Sequence, residues 1–305
     1  MSDVLSLFDA VLLNSTLRSI TPILLAALGG LLYERAGLFN IGLEGLMLTG
    51  AFAGVAGAFF TGSPVAGVAV AIVAGVLLSA VLAVTSITFR GDIIVLGIAL
   101  NLLAAGLTAY LLQELFDVRG IFQSADLQGL SNIRIPVVAD IPVIGLAVSG
   151  HTWVVYLSWV LVVAVQVFLF RHSRGLRLRG VGEQPQAAAT LGVSVTHYQY
   201  AAVLASGALC GLAGAQLSLG NVTLFAENMS AGRGWIAVVA VMLGRAHPLG
   251  VLAAAALFGF ADTLGFRLQG LGLPSQITGA LPYVMTLVAL FAVQARRRPR
   301  PRAAV

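Results

Sequence analysis

PVAGVAVAIVAGVLLSAVLAVTSIT, residues 64–88, holds 25 positions without one charged side chain. A helix needs roughly 20 apolar residues to cross the hydrocarbon core of a bilayer, so this stretch can span a membrane by itself. Comparable runs lie near 11–33, 42–60, 92–112, 151–170, 198–220, 234–246, 249–267 and 277–295. The expected fold is all-α: a polytopic transmembrane helix bundle of about nine spans, with eight to ten compatible with the pattern, in a single domain covering 1–305. The seventh run is short, and its start can be drawn as early as Glu227.

Composition agrees. The 305-residue chain is 59% hydrophobic and 10% charged, with a mean hydropathy of +0.97. Soluble domains are about a quarter charged, and this chain cannot supply such a surface. The net charge is +5, and all 17 basic residues are arginine. They cluster at the ends of apolar runs, where they orient a protein in the bilayer and do not suggest nucleic acid as a partner. A P-loop needs a lysine to reach nucleotide phosphates, so no such ATP site is expected here. Cys210 stands alone inside an apolar run, and the four histidines show no metal-ligand spacing. No cofactor or metal is expected in this chain. The start, MSDVLSLFDA, lacks the basic residues of a signal peptide.

Arginine placement sets the expected orientation. Arg171, Arg174, Arg177 and Arg179 lie between the fifth and sixth runs, and five more arginines lie in the tail, 296–305. Both clusters belong in the cytoplasm under the positive-inside rule. Four crossings separate them, so the two assignments agree. Glu34, Arg35 and Arg90 then face inward, and the acidic N-terminus and the loop 113–150 face outward. That loop, with Asp117, Asp126 and Asp140, is expected to form a small lid or docking surface. SPVAGVAVAIVAG (63–75) also resembles HPLGVLAAAALFG (247–259), with opposite orientations expected: either the halves of an inverted-repeat transporter, or the X-Pro, Gly, Ala and Val composition common at membrane helix starts.

One stretch resists the lipid. Residues 179–192 read RGVGEQPQAAATLG. Pro185 suits a first helical turn, and Gly192 can take the left-handed conformation that ends a helix. A helix of about seven residues does not persist alone. It either lies on its own bundle or acts as a peg for a cytoplasmic partner, with Ala187, Ala188 and Ala189 allowing close approach.

Three further places carry polar groups into apolar surroundings. In ERAGLFNIGLEG (34–45), Asn40 and Glu44 are four apart and would share one face of a helix. Glu44 either pairs with Arg35 at the interface, or joins Asn40 in holding a joint or lining a path. In NMSAGRGWIAVVAVMLGRAHPLG (228–250), Gly232 and Gly234 flank Arg233 at the expected outer end of a short, interrupted span, a pointer to a transport path. Asn101 and Asp262 are isolated in apolar runs; each either touches a polar solute or bonds a neighbouring helix.

At ERAGLFNIGLEGLML, RGVGEQPQAAATLGV and GRGWIAVVAVMLG the chain resembles the permease subunits of bacterial ABC importers. The family is the one serving branched-chain amino acids, ribose-type sugars and nucleosides, and NIGLEG resembles its nucleoside and simple-sugar subgroup. The resemblance runs in order along nearly the whole chain, although Gln184 stands where the family usually has asparagine. It implies a type II importer-like bundle. It also implies a coupling helix within the cytoplasmic segment 171–197, where Gly182, Glu183, Gln184, Pro185, Ala187, Ala188 and Gly192 meet a separate ABC ATPase that binds the ATP. A second related permease chain, completing a heterodimer, and an external solute-binding lipoprotein are implied partners, in a bacterial cell membrane with the C-terminus cytoplasmic. The implied cargo is a nucleoside, or alternatively a ribose-like sugar or branched-chain amino acid. Asn40, Glu44, Asn101, Arg233 and Asp262 stand as gating or path residues.

Two other classes stay in view. An ion-coupled secondary transporter needs intramembrane carboxylates, for which Glu44 and Asp262 are the candidates. A membrane enzyme needs a catalytic set, and Ser206 before Gly207 has no convincing histidine partner.

Overall fold

The computed structural model describes residues 10–134 and 148–270, and five further helical positions, Leu281, Val284, Met285, Val288 and Phe291. The helices in chain order are α1 (Ala10–Arg35), α2 (Leu43–Thr61), α3 (Pro64–Ala83), α4 (Ile93–Phe116), α5 (Trp153–Arg171), α6 (Ser173–Glu183), α7 (Pro185–Thr190), α8 (Val195–Ala215), α9 (Arg233–Leu243) and α10 (Pro248–Gly270). Wider π-helical turns extend α3 to Thr88 and α8 to Val222. Among the described residues seven helices are long and apolar enough to cross a membrane, and α9 is a shorter apolar helix. The nine-span expectation is therefore approximate. Its last run, 277–295, and the basic tail lie mostly or wholly outside the described residues.

Helix starts follow local chemistry. Pro64 occupies the first position of α3 behind an Ser63 cap, and the Asp92 carboxylate accepts from the Ile94 and Val95 amides to begin α4. Close packing follows from small residues. A Cβ at Gly211 of α8 would stand 2.3 Å from the Ala71 carbonyl of α3, and one at Gly214 2.2 Å from the Met47 carbonyl of α2. These three helices meet backbone to backbone. Helix α1 is the central post, with Ile23, Leu24, Leu25 and Leu28 fully buried.

The contacts fix relative directions. Gly259 of α10 packs against Ile20 of α1, while Arg35 at the other end of α1 donates to the Ala246 carbonyl just before α10. Thus α1 and α10 are antiparallel. Gly75 of α3 meets Gly207 of α8, and Thr88 hydrogen-bonds Tyr200, so α3 and α8 are antiparallel as well. Helices α3 and α10, the two similar segments, run in opposite directions, as inverted halves require. Arg35, Arg90 and α6 lie at one end, the arginine-rich face.

At the far face, two short antiparallel ribbons organise the loop after α4. β1 (Ile121–Phe122) pairs with β4 (Phe225–Ala226), and β2 (Asn132–Ile133) pairs with β3 (His151–Thr152). Leu127 and Leu130 are buried beneath this cover, and at its edge the Phe59 ring meets Phe116 and Phe122 edge-to-face while those two rings lie tilted against each other. Asp140 of the expected lid lies outside the described residues.

Candidate functional site

Two helices begin inside the bundle instead of at a membrane face. Before α2, residues 36–42 are irregular and fold back from the end of α1 into the interior. There the Asn40 side-chain amide donates to Ser206 Oγ at 3.4 Å. Ser206 lies eleven residues into α8, about 16 Å from its arginine-rich end at 1.5 Å per residue. Before α9, residues 223–232 contain only a two-residue strand and turns as they descend from the far face. The expected helical face shared by Asn40 and Glu44 does not form, because α2 starts only at Leu43. Gly232 and Gly234 likewise sit at depth and not at an outer helix end.

The two helix starts meet at one carboxylate. Glu44, in the first turn of α2 and 9% exposed, accepts from the Gly232 amide at 2.8 Å and the Gly234 amide at 2.7 Å. Helix N-termini carry unpaired N–H groups and partial positive charge. Glu44 therefore lies between the positive ends of α2 and α9, which leave the junction in opposite directions. This explains how a carboxylate is tolerated in an apolar bundle without an arginine partner. Arg35 instead caps the other end of the α9 turn, donating to the Ala246 and Arg245 carbonyls. Gly234 is required by the approach, since a Cβ there would stand 2.4 Å from the Glu44 Cα.

Asn40 and Asn101 complete the junction. Asn40 Oδ1 accepts from the Gly42 amide at 2.8 Å. Asn101 Oδ1 accepts from the Gly45 amide at 2.8 Å, and its Nδ2 donates to the Ile41 carbonyl at 3.0 Å. Irregular backbone at membrane depth is tolerated where protein groups satisfy it, and both asparagines serve that purpose.

Arg233 and Asp262 form an ion pair at 3.2 Å, each side chain 17% exposed. Arg233 lies beside a cavity of about 300 Å³ that also touches Ser15, Arg18, Ser19, Asn221 and Phe266. Arg18 braces its wall by donating to the Asn221 carbonyl at 2.9 Å. The cavity combines hydroxyls, an amide and guanidinium groups with the apolar side chains of Leu217, Val222 and Phe266, the mix of apolar wall and few polar groups that small-molecule sites share.

At the arginine-rich face, α6 and α7 form a protruding pair. Pro185 opens α7 and Gly192 closes it with φ of +77°. Ala188 is buried against α6, whereas Glu183, Gln184, Pro185, Ala187 and Gly192 are exposed. Glu183 makes an ion pair with Arg179 at 3.7 Å, and Arg179 lies 4.7 Å over the Phe170 ring. Leu191 is 83% exposed, an apolar anchor beside an open groove of about 440 Å³. Gly182 joins this pair to the bundle: a Cβ there would stand 2.3 Å from the Arg35 carbonyl and 2.8 Å from the Gly37 amide. Gly37 begins the segment that leads to Asn40 and Glu44. The five residues that the sequence suggests for a path thus fall near one junction; of the seven it suggests for coupling, six lie from Glu183 to Gly192 on or beside α7, and Gly182 packs against Arg35 and Gly37.

A family model described as the branched-chain amino acid transport system permease component matches residues 12–290. The chain belongs to this permease family. It is 36% identical over 299 residues to the guanosine ABC transporter permease NupQ of Bacillus subtilis, covering 92% of this chain and 91% of that one. It is 35% identical to the nucleoside ABC transporter permease NupC of Lactococcus lactis, covering 94% and 93%. TsgC13 of Haloferax volcanii, named provisionally as a glucose ABC transporter permease, is 38% identical, covering 92% and 86%. A solved metal-chelate type ABC transporter, provisionally so assigned and captured facing inward, shares the fold with a TM-score of 0.55 at 18% identity, covering 92% and 85%. The permease is a multi-pass membrane subunit of an ABC transporter.

Sequence reading missed Ser206 as a hydrogen-bond partner of Asn40, and Arg18, Ser15, Ser19 and Asn221 around the cavity. Arg18, a charge inside the first apolar run, was the available signal for the cavity wall. No sequence signal connected Glu44 to amides 188 and 190 residues away.

Proposed function

We propose that this permease imports nucleosides, driven through α7 by a separate cytoplasmic ATPase that binds the ATP. What supports the cargo is the similarity to NupQ and NupC along more than nine-tenths of both chains. What supports the coupling is the exposed peg, α7 with Leu191, standing on the arginine-rich face that the positive-inside rule assigns to the cytoplasm. Closure of the ATPase pushes α7. The push passes through the Gly182–Gly37 contact into residues 38–42, and from there to Glu44 and the start of α9. Opening and closing at this junction alternates access to the cavity beside Arg233. A second, related permease chain forms the other wall of the pathway, and an external binding lipoprotein delivers the solute to the far face.

The test is uptake by the complex of permease, ATPase and binding protein in vesicles. A Glu183→Ala/Pro185→Ala double variant should remain in the membrane and lose ATP-driven nucleoside uptake. Normal uptake by that variant, or uptake that survives ATP depletion but collapses with an ion gradient, overturns the coupling. A specific observation favours a second cargo: TsgC13 is 38% identical. Glucose or ribose uptake, with no nucleoside uptake, by the same vesicles selects the sugar reading; uptake of branched-chain amino acids alone overturns both.

A further inference from the structure

A second cavity, of about 450 Å³, opens near the arginine-rich face between α1, α5, α6 and α8. Its interior is apolar, formed by Leu32, Phe168, Leu178 and Ala202, and Arg174 and His197 stand among its lining residues. This volume lies within the range of small-molecule sites, about 300–1,000 Å³. It shares no lining residue with the junction at Glu44 or with the cavity beside Arg233.

The surroundings are built for an amphipathic anion. Helix α6 buries Gly175, Leu178 and Val181 and exposes Arg174 and Arg177, with Arg171 exposed at the end of α5. None of Arg171, Arg174 and Arg177 forms an ion pair among the described residues. An exposed apolar row on α5, Val160, Val163 and Val167, has the spacing of one helical face and reaches Arg171 one turn later. Basic pockets between membrane helices favour anionic lipid headgroups, and an apolar slot beside Arg174, which forms no ion pair among the described residues, complements such a lipid at both ends.

We propose that this cavity binds one anionic phospholipid from the leaflet on the arginine-rich side. An acyl chain fills the slot lined by Leu32, Phe168 and Ala202, and the phosphate sits at Arg174 and His197.

The test is lipid binding by the purified full-length permease in detergent, followed by native mass spectrometry. The probes are phosphatidylglycerol and phosphatidylcholine with identical acyl chains. The expected result is one tightly retained phosphatidylglycerol, at least tenfold preferred over phosphatidylcholine. A charge at a membrane surface contributes about 1 kcal/mol, so Arg174→Gln should weaken phosphatidylglycerol about fivefold and leave phosphatidylcholine nearly unchanged. Arg177→Gln, which alters the α7 groove instead, should reduce binding by less than Arg174→Gln. Ala201 also lines the slot, and Ala201→Phe, which fills it, should weaken both lipids. Equal retention of the two lipids, or no effect of Arg174→Gln, overturns the proposal. Displacement of phosphatidylglycerol by millimolar inorganic phosphate also overturns it, because it reveals a free-anion site with no acyl slot. If Ala201→Phe does not fold, the Arg174→Gln comparison decides alone.

Discussion

Glu44 offers the sharpest perturbation. Its carboxylate accepts two amide hydrogen bonds, at 2.8 and 2.7 Å, from the start of α9. Hydrogen bonds to a charged group contribute about 1.5–3 kcal/mol each, roughly 3–6 kcal/mol for the pair. Alanine removes both but also relieves the cost of holding a charge away from water, which is several kcal/mol. It leaves two amides without acceptors, Gly234 buried and Gly232 half-buried, at up to about 1–3 kcal/mol each. The balance is a loss of roughly 2–4 kcal/mol, which at about 2 °C per kcal/mol for a large chain lowers the unfolding midpoint by some 4–8 °C. Glu44→Gln keeps one acceptor oxygen and turns an NH2 toward the second amide, so its loss should lie between wild type and alanine. The assay is thermal unfolding of the purified permease in detergent, followed by intrinsic fluorescence, beside uptake in vesicles. Both variants should lose uptake rate more than solute affinity if the junction transmits movement as proposed. Glu44→Ala with an unchanged midpoint, or Glu44→Gln less stable than Glu44→Ala, refutes the role given to the two amide bonds.

Three further outcomes follow from the same packing. Asp262→Asn leaves Arg233 half-buried without its 3.2 Å partner; breaking a buried pair costs about 3–5 kcal/mol, less here because each side chain keeps some water contact, and an Arg233→Asp/Asp262→Arg exchange should recover part of the lost stability and uptake. Gly211→Val forces a side chain onto the Ala71 carbonyl, 2.3 Å from the Cβ position; overpacking costs about 1–3 kcal/mol or more, and the yield of folded protein in detergent should fall. Gly182→Val pushes α6 from Arg35 and Gly37 and should reduce ATP-driven uptake even where the variant remains folded, as circular dichroism and vesicle uptake together can show.

Hydropathy made the long spans legible, because lipid imposes a length and composition that few other environments require. The short helix α7 was also legible: proline and glycine act locally, and Pro185 and Gly192 bound their helix as their backbone preferences dictate. The depth of residues 36–42 and 223–232 was not legible. Glycine, asparagine and serine read as an interfacial loop unless something distant supplies hydrogen bonds, and here Asn101, Ser206 and Glu44 do so from other helices. For the same reason the sequence leaves Glu44 open between pairing with Arg35 and holding a joint with Asn40, and only the fold supplies its partners, the backbone amides of Gly232 and Gly234. The cavity beside Arg233 draws Ser15, Arg18 and Asn221 from segments far apart in the chain, a grouping that only tertiary packing creates.

The most direct measurement of the coupling is site-specific cross-linking from Ala187→Cys in native membranes that also contain the partner subunits. The native thiol, Cys210, is fully buried, so the new cysteine should be the one that reacts. The expected result is a cross-link between this permease and the ATPase, with yield changed by ATP. Labelling of position 187 only from the external side, or full uptake with no cross-link to any ATPase, contradicts the placement of α7 against a cytoplasmic motor.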